Sequence, residues 1–116
     1  MSTLFTVSVE RTHDHTVLHA RGEIDMGTAP ALTDALRTAQ EPAPQVVVVD
    51  LTDVTFLASA GLAVLVKATQ RAQATGSRLL VITPQGSVVR RAIAVSSLEH
   101  VLTLAEDRDA TGSVEG

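Results

Sequence analysis

Residues 46–66 read VVVVDLTDVTFLASAGLAVLV, and this stretch decides the fold. It begins with four consecutive valines, too apolar for a strand with one wet face. A continuous β-branched run bounded by turn signals reads as a strand covered on both sides. Asp50 is expected to end the run, with Thr52-Asp53 as a turn and with Phe56 and Leu57 returning to the core. Ala58-Ser59-Ala60-Gly61 are all small, and a strong helix-forming run starts at Leu62. An apolar strand therefore feeds a helix with one serine, Ser59, at its entrance. Ser59 is the leading functional candidate.

Downstream, the helix is expected over about residues 60–74. Its first half is apolar nearly all round, through Leu62, Ala63, Val64, Leu65 and Val66, and so is buried or covered by a partner. Its second half carries Lys67, Gln70, Arg71 and Gln73 and reads as wet. Gly76 suits a left-handed C-cap. Residues 78–83, RLLVIT, form a short apolar strand. Ser87 is a candidate N-cap for a third helix over 88–94 that exposes Arg90 and Arg91, and 101–104 are a last short strand. The domain spans 1–105, and the polar, aperiodic 106–116 read as a flexible tail.

Upstream, residues 4–10 alternate apolar and polar, and the pattern resumes over 16–24 after Thr12-His13-Asp14, which gives an antiparallel hairpin. Thr28 is a reasonable N-cap and Pro30 fits the first turn of a helix. Leu32, Ala35, Leu36 and Ala39 then form one apolar face. Glu41-Pro42-Ala43-Pro44 stops this helix and delivers the chain to the valine strand. The element order is β-β-α-β-α-β-α-β, an α/β single domain with a mixed sheet and helices packed on it.

Composition excludes several classes of function. The chain has 116 residues, enough for one core and no more. Aromatics amount to 2%, Phe5 and Phe56 alone, so stacking platforms for single-stranded nucleic acid are absent. A net charge of −4 argues against phosphate-backbone binding, and no direct nucleic-acid partner is expected. Without cysteine there is no disulfide, no thiolate nucleophile and no cysteine zinc site. No secretory signal and no apolar run of membrane-spanning length is seen, so a cytoplasmic protein without a membrane partner is expected.

Two segments resemble one family. Gly22-Glu23-Ile24-Asp25, followed by Thr28-Ala29-Pro30-Ala31-Leu32, resembles the passage from second strand to first helix in the anti-sigma factor antagonists of the STAS superfamily. Residues 46–66 resemble their third strand and second helix, where the usual reading is D-S-S-G-L or D-S-T-G-L. The resemblance implies a STAS-like fold and a non-enzymatic antagonist without a cofactor. It implies a partner that is an anti-sigma factor with serine kinase activity, which phosphorylates the serine and so releases the antagonist. A serine phosphatase then resets it. Position by position, the motif's aspartate falls on Ala58, the phosphorylated serine on Ser59, the next hydroxyl residue on Ala60 and the glycine on Gly61. The family's aspartate after the second strand falls on Asp25. The chain keeps the acceptor hydroxyl and lacks both polar neighbours, and no terminal helix is read after Leu104. The partner-binding set implied is Asp25, Ala58, Ser59, Ala60, Gly61 and Leu62, with phosphorylation at Ser59 and no catalytic or metal-ligating residue.

Plain chemistry supplies alternatives to each role. A serine before a helix caps it, and an aspartate in such a loop caps or is solvated. Gly61 either lightens the first turn or lets a partner backbone come close. A serine hydrolase would want G-x-S-x-G, and Leu57 stands where its first glycine belongs. His13-Asp14-His15 has too few ligands for a metal site. The runner-up to the antagonist is an unphosphorylated STAS scaffold or small-ligand-sensing module, which Ala58 and Ala60 favour.

Overall fold

The valine run lies at the centre of a sheet. The computed structural model describes residues 4–12 and 15–106. They form β1 (Phe5–Arg11), β2 (His15–Ile24), α1 (Ala29–Gln40), β3 (Val46–Leu57), α2 (Ser59–Thr75), β4 (Arg78–Ile82), α3 (Val88–Val95) and β5 (Thr103–Ala105). The order is the one read from the sequence. The sheet runs β1-β2-β3-β4-β5. β1 pairs antiparallel to β2, and every later pairing is parallel. The mixed sheet of a single α/β domain is thus as expected.

Three successive parallel crossovers advance in one direction, and right-handed connections then place their helices on one face. Leu32 and Leu36 of α1, Leu65 and Ala68 of α2, and Val89 and Ile93 of α3 share one core with Val47 and Val49. The alternate valines, Val46 and Val48, join Leu80 and Ile82 on the opposite face, with Val17 and Ala105 packed against them. None of the four valines is more than 4% exposed, so the run is buried on both sides. That explains why it shows no polar alternation.

The turn expected at Thr52-Asp53 does not form, and β3 continues to Leu57. Asp50 is 5% exposed within the strand. Its Oδ1 accepts bonds from the Thr52 N–H (3.0 Å) and hydroxyl (2.6 Å). The pairing with β2 shifts register between His19 and Arg21 and again between Gly22 and Glu23. β3 carries the extra residue each time, as in a β-bulge. His19 Nε2 lies 2.9 Å from Asp53 Oδ2 beside the first shift. The second shift corrects another expectation. Phe56 is 47% exposed rather than buried, because the extra residue breaks the two-residue period before Leu57 returns to the core.

Helix ends follow local chemistry, with three corrections. Thr28 sits at the N-cap of α1 but makes no capping bond with its side chain. Arg90, expected on an exposed face, is half-buried and its Nη1 donates to the Thr83 carbonyl and hydroxyl, both at 3.1 Å. Arg71, expected to be wet, is half-buried between α1 and α2. Gly76 takes the left-handed C-cap at φ 76°, and Ser87 caps α3 by accepting from the Arg90 N–H. The expected tail beyond Glu106, and His13 with Asp14 of the hairpin turn, lie outside the described residues. No helix among the described residues is long and apolar enough to cross a membrane.

Candidate functional site

β2 and β3 run parallel and end together, with Ile24 opposite Leu57. The Ala58 N–H continues the ladder by donating to the Ile24 carbonyl at 2.8 Å. Asp25, directly after β2, and Ser59, one residue past Ala58, therefore leave the same end of the sheet from adjacent strands. The topology brings the two halves of the sequence resemblance together.

Ala58, not Ser59, is the N-cap of α2, in an extended conformation at φ −87° and ψ 170°. Ser59 is the first helical residue and is exposed, while Ala58 and Ala60 are half-buried. An alanine cannot cap, so the first N–H groups of this 17-residue helix have no capping side chain, and its first turn has no acidic residue. The result is an open helix N-terminus with positive potential and a free-standing hydroxyl in its first turn.

Asp25 is half-buried, and its Oδ1 accepts from the Gly27 N–H at 2.9 Å and the Thr28 N–H at 3.0 Å. The Thr28 hydroxyl accepts from the Asp25 N–H and donates to the Glu23 carbonyl, each at 2.9 Å. Asp25 thus folds the entry to α1, and it makes no hydrogen bond to Ser59 among the described residues. Its carboxylate is fixed next to the helix entrance by its own loop.

Gly61 and Leu62 face inward and are buried. A Cβ on Gly61 would stand 2.5 Å from Ile24 Cγ2 and 2.6 Å from Leu57 Cδ1. The glycine lets α2 start directly against the ends of β2 and β3, which holds Ser59 at the surface. Its close approach is to this chain's own core. Leu62, 5% exposed, anchors the same turn in the main core. Of the six residues in the expected binding set, Asp25, Ala58, Ser59 and Ala60 reach the surface, and Gly61 with Leu62 support it from beneath.

Two surface residues at this end of the sheet escaped the sequence reading. Met26, next to Asp25, is 81% exposed, and Phe56 stands two residues before Ala58. Met26 carried a signal that could have been used, as a large apolar residue within a polar loop. Phe56 carried none, since the bulge that turns it outward is a tertiary feature. Among the described residues no three His, Asp or Glu side chains gather as metal ligands would.

The STAS domain family matches residues 6–110, nearly the whole chain. The chain belongs to the STAS domain family. Its relatives include the anti-sigma-F factor antagonist RsfB of Mycobacterium tuberculosis, 34% identical over 112 residues, which cover 96% of this chain and 90% of the relative. A solved anti-sigma factor antagonist from Mycobacterium paratuberculosis superposes with a TM-score of 0.82 at 30% identity, covering 95% of this chain and 92% of that one. The unphosphorylated form of the anti-sigma factor antagonist SpoIIAA gives a TM-score of 0.76 at 20% identity over 96% of this chain and 97% of its own, a likeness of fold.

Proposed function

We propose that the chain is an anti-sigma factor antagonist. It binds an anti-sigma factor with serine kinase activity through the surface around Ser59, and phosphorylation of Ser59 releases it. The observation that carries this reading is the exposed Ser59 hydroxyl in the first turn of an uncapped helix, at the end of the sheet that Asp25 also leaves, with Met26 and Phe56 exposed in the neighbouring sequence. Antagonist relatives that match almost end to end support the same reading.

In the transfer step the Ser59 oxygen attacks the γ-phosphorus of ATP held by the kinase. The serine proton passes to a base of the kinase, and ADP leaves. The phosphoserine carries roughly −1.5 to −2 charges. The open N-terminus of α2 favours that charge, so the helix survives. Docking of a partner over Met26 and Phe56 would strip water from the new dianion, and that desolvation opposes binding. The switch acts on the interface and leaves the fold intact. A serine phosphatase restores the hydroxyl, and the cycle sets how much anti-sigma factor is withheld from its sigma factor.

A specific observation favours a second reading. Ala58 and Ala60 replace the polar neighbours of the family motif, which suits an unphosphorylated scaffold or small-ligand module. Incubation with ATP and the anti-sigma kinases of the same organism, followed by mass-spectrometric mapping, separates the two. Phosphate on Ser59 is the expected result, and no modification by any of them would favour the scaffold.

A further inference from the structure

Along the contact between α1 and α2 lies a groove of about 340 Å³. Ala60, Ala63 and Val64 line it at one end, and Arg37, Lys67 and Arg71 at the other. The α2 members recur at three- and four-residue spacing, so they form one stripe on that helix. From Ala60 to Arg71 the stripe extends about 16 Å at the helical rise of 1.5 Å per residue. Ala63 stands four residues on from Ser59, one turn away on the helix surface, so the groove borders the surface already described.

The basic end is electrostatically incomplete. Arg71 Nε donates to Gln40 Oε1 at 3.0 Å, and Gln40 Nε2 donates to the Ala68 carbonyl at 2.9 Å. This chain fixes the guanidinium plane. Its Nη2 is buried and has no hydrogen-bond partner. Burial, and then the like charge of Arg37, hold the Arg71 guanidinium below its ordinary pKa, with Glu41 acting in the opposite sense. No ion pair among the described residues neutralises Arg37, Lys67 or Arg71. Three cations converge on one groove of a chain whose net charge is −4. Arg71 Nη2 is closed to an incoming group, but its charge adds to that of the exposed Arg37 and Lys67, which an oxyanion can reach.

We propose that this groove receives an acidic side chain of the anti-sigma partner, whose segment lies along α2 from the apolar end at Ser59 to the basic end at Arg71. The inference rests on the Ser59 reading and adds a second anchor to it. The apolar floor over the first two turns decides for a protein segment, since a small free anion would use the basic end alone. Small side chains at Ala60 and Ala63 leave room for such a segment. The carboxylate would pair with the exposed Arg37 and Lys67, with the Arg71 charge held behind them, so that the partner is held at both ends of the stripe.

The test is calorimetric titration of the anti-sigma factor of the same organism into wild type, Lys67→Glu, Arg71→Gln and Ser59→Glu, at about 50 and 300 mM salt, where counter-ion screening differs. Lys67→Glu is a surface change, and circular dichroism controls for folding in all four. The proposal expects Lys67→Glu and Arg71→Gln each to weaken binding at least tenfold at low salt. It also expects the salt dependence to shrink in both. A loss confined to Ser59→Glu would overturn the groove while leaving the Ser59 surface standing. No binding by folded wild type would remove the Ser59 reading and the groove with it. A shift of the Arg71 Nε–H resonance with inorganic phosphate, alongside partner affinity indifferent to Lys67→Glu, would make this a small-anion site and overturn the docking role.

Discussion

Gly61→Ala sets two well-characterised effects against each other. In an exposed helix, alanine is favoured over glycine by roughly 1 kcal/mol. Gly61 is not exposed, and the added Cβ would stand 2.5 Å from Ile24 Cγ2 and 2.6 Å from Leu57 Cδ1. The Leu57 methyl is the far end of a flexible side chain and can turn away. Ile24 is β-branched, fully buried, and stiff about its first side-chain torsion, so its methyl cannot. Overpacking of this kind costs about 1–3 kcal/mol, enough to overcome the helical preference. Against the helical preference, the middle of that range leaves a net loss of about 1 kcal/mol, which for a domain of this size lowers the melting temperature by roughly 3–6 °C. Thermal melts followed by circular dichroism, with urea titration as a second measure, decide it. A melting temperature that is unchanged or higher would refute the packing account of Gly61. The partner-approach role for that residue would then regain weight.

Asp25→Ala removes the acceptor of two N–H bonds at the entry to α1 and is expected to cost about 1 kcal/mol by urea denaturation. If Asp25 also belongs to the proposed site, phosphorylation at Ser59 by the partner kinase falls by more than that loss explains, while normal phosphorylation would confine it to its own loop. Phe56→Ser is expected to leave stability within about 0.5 kcal/mol, because the ring is half in solvent, and to weaken partner binding measurably. Unchanged affinity in a folded Phe56→Ser protein would remove the ring from the interface.

The order of elements was legible because hydrophobic periodicity survives wherever a strand or helix faces one core. The valine run is the clearest case, since burial on both faces leaves no alternation to confuse. Asp50, Thr52 and Asp53 misled because the side-chain-to-backbone bonds of a turn are the same ones that build a bulge within a strand. Only the pairing with β2 distinguishes them, and pairing is not a local property. The same bulging turned Phe56 outward against its period. Arg71 looked like part of a wet helix end because its setting depends on Gln40 and Arg37 of another helix. At the site, the identity of Ser59 and its place at the helix entrance were legible. Its role as first helical residue rather than cap was not, since capping hangs on a single backbone conformation at Ala58. Asp25 was readable as a neighbour of Ser59 only through the resemblance, and its loop bonds required coordinates.

In the function proposed above, the surface around Ser59 is a docking surface switched by charge. Because Ser59 makes no capping bond, Ser59→Ala should change stability by less than about 0.5 kcal/mol. Ser59→Glu places a carboxylate in the first turn of a helix, where the fold tolerates it. The most direct measurement is the affinity of the cognate anti-sigma factor for wild type, Ser59→Ala and Ser59→Glu, by calorimetry on proteins shown to be folded. Equal affinity is expected for wild type and Ser59→Ala, and at least tenfold weaker binding for Ser59→Glu, a difference of about 1.4 kcal/mol or more. Equal affinities for all three proteins would contradict it.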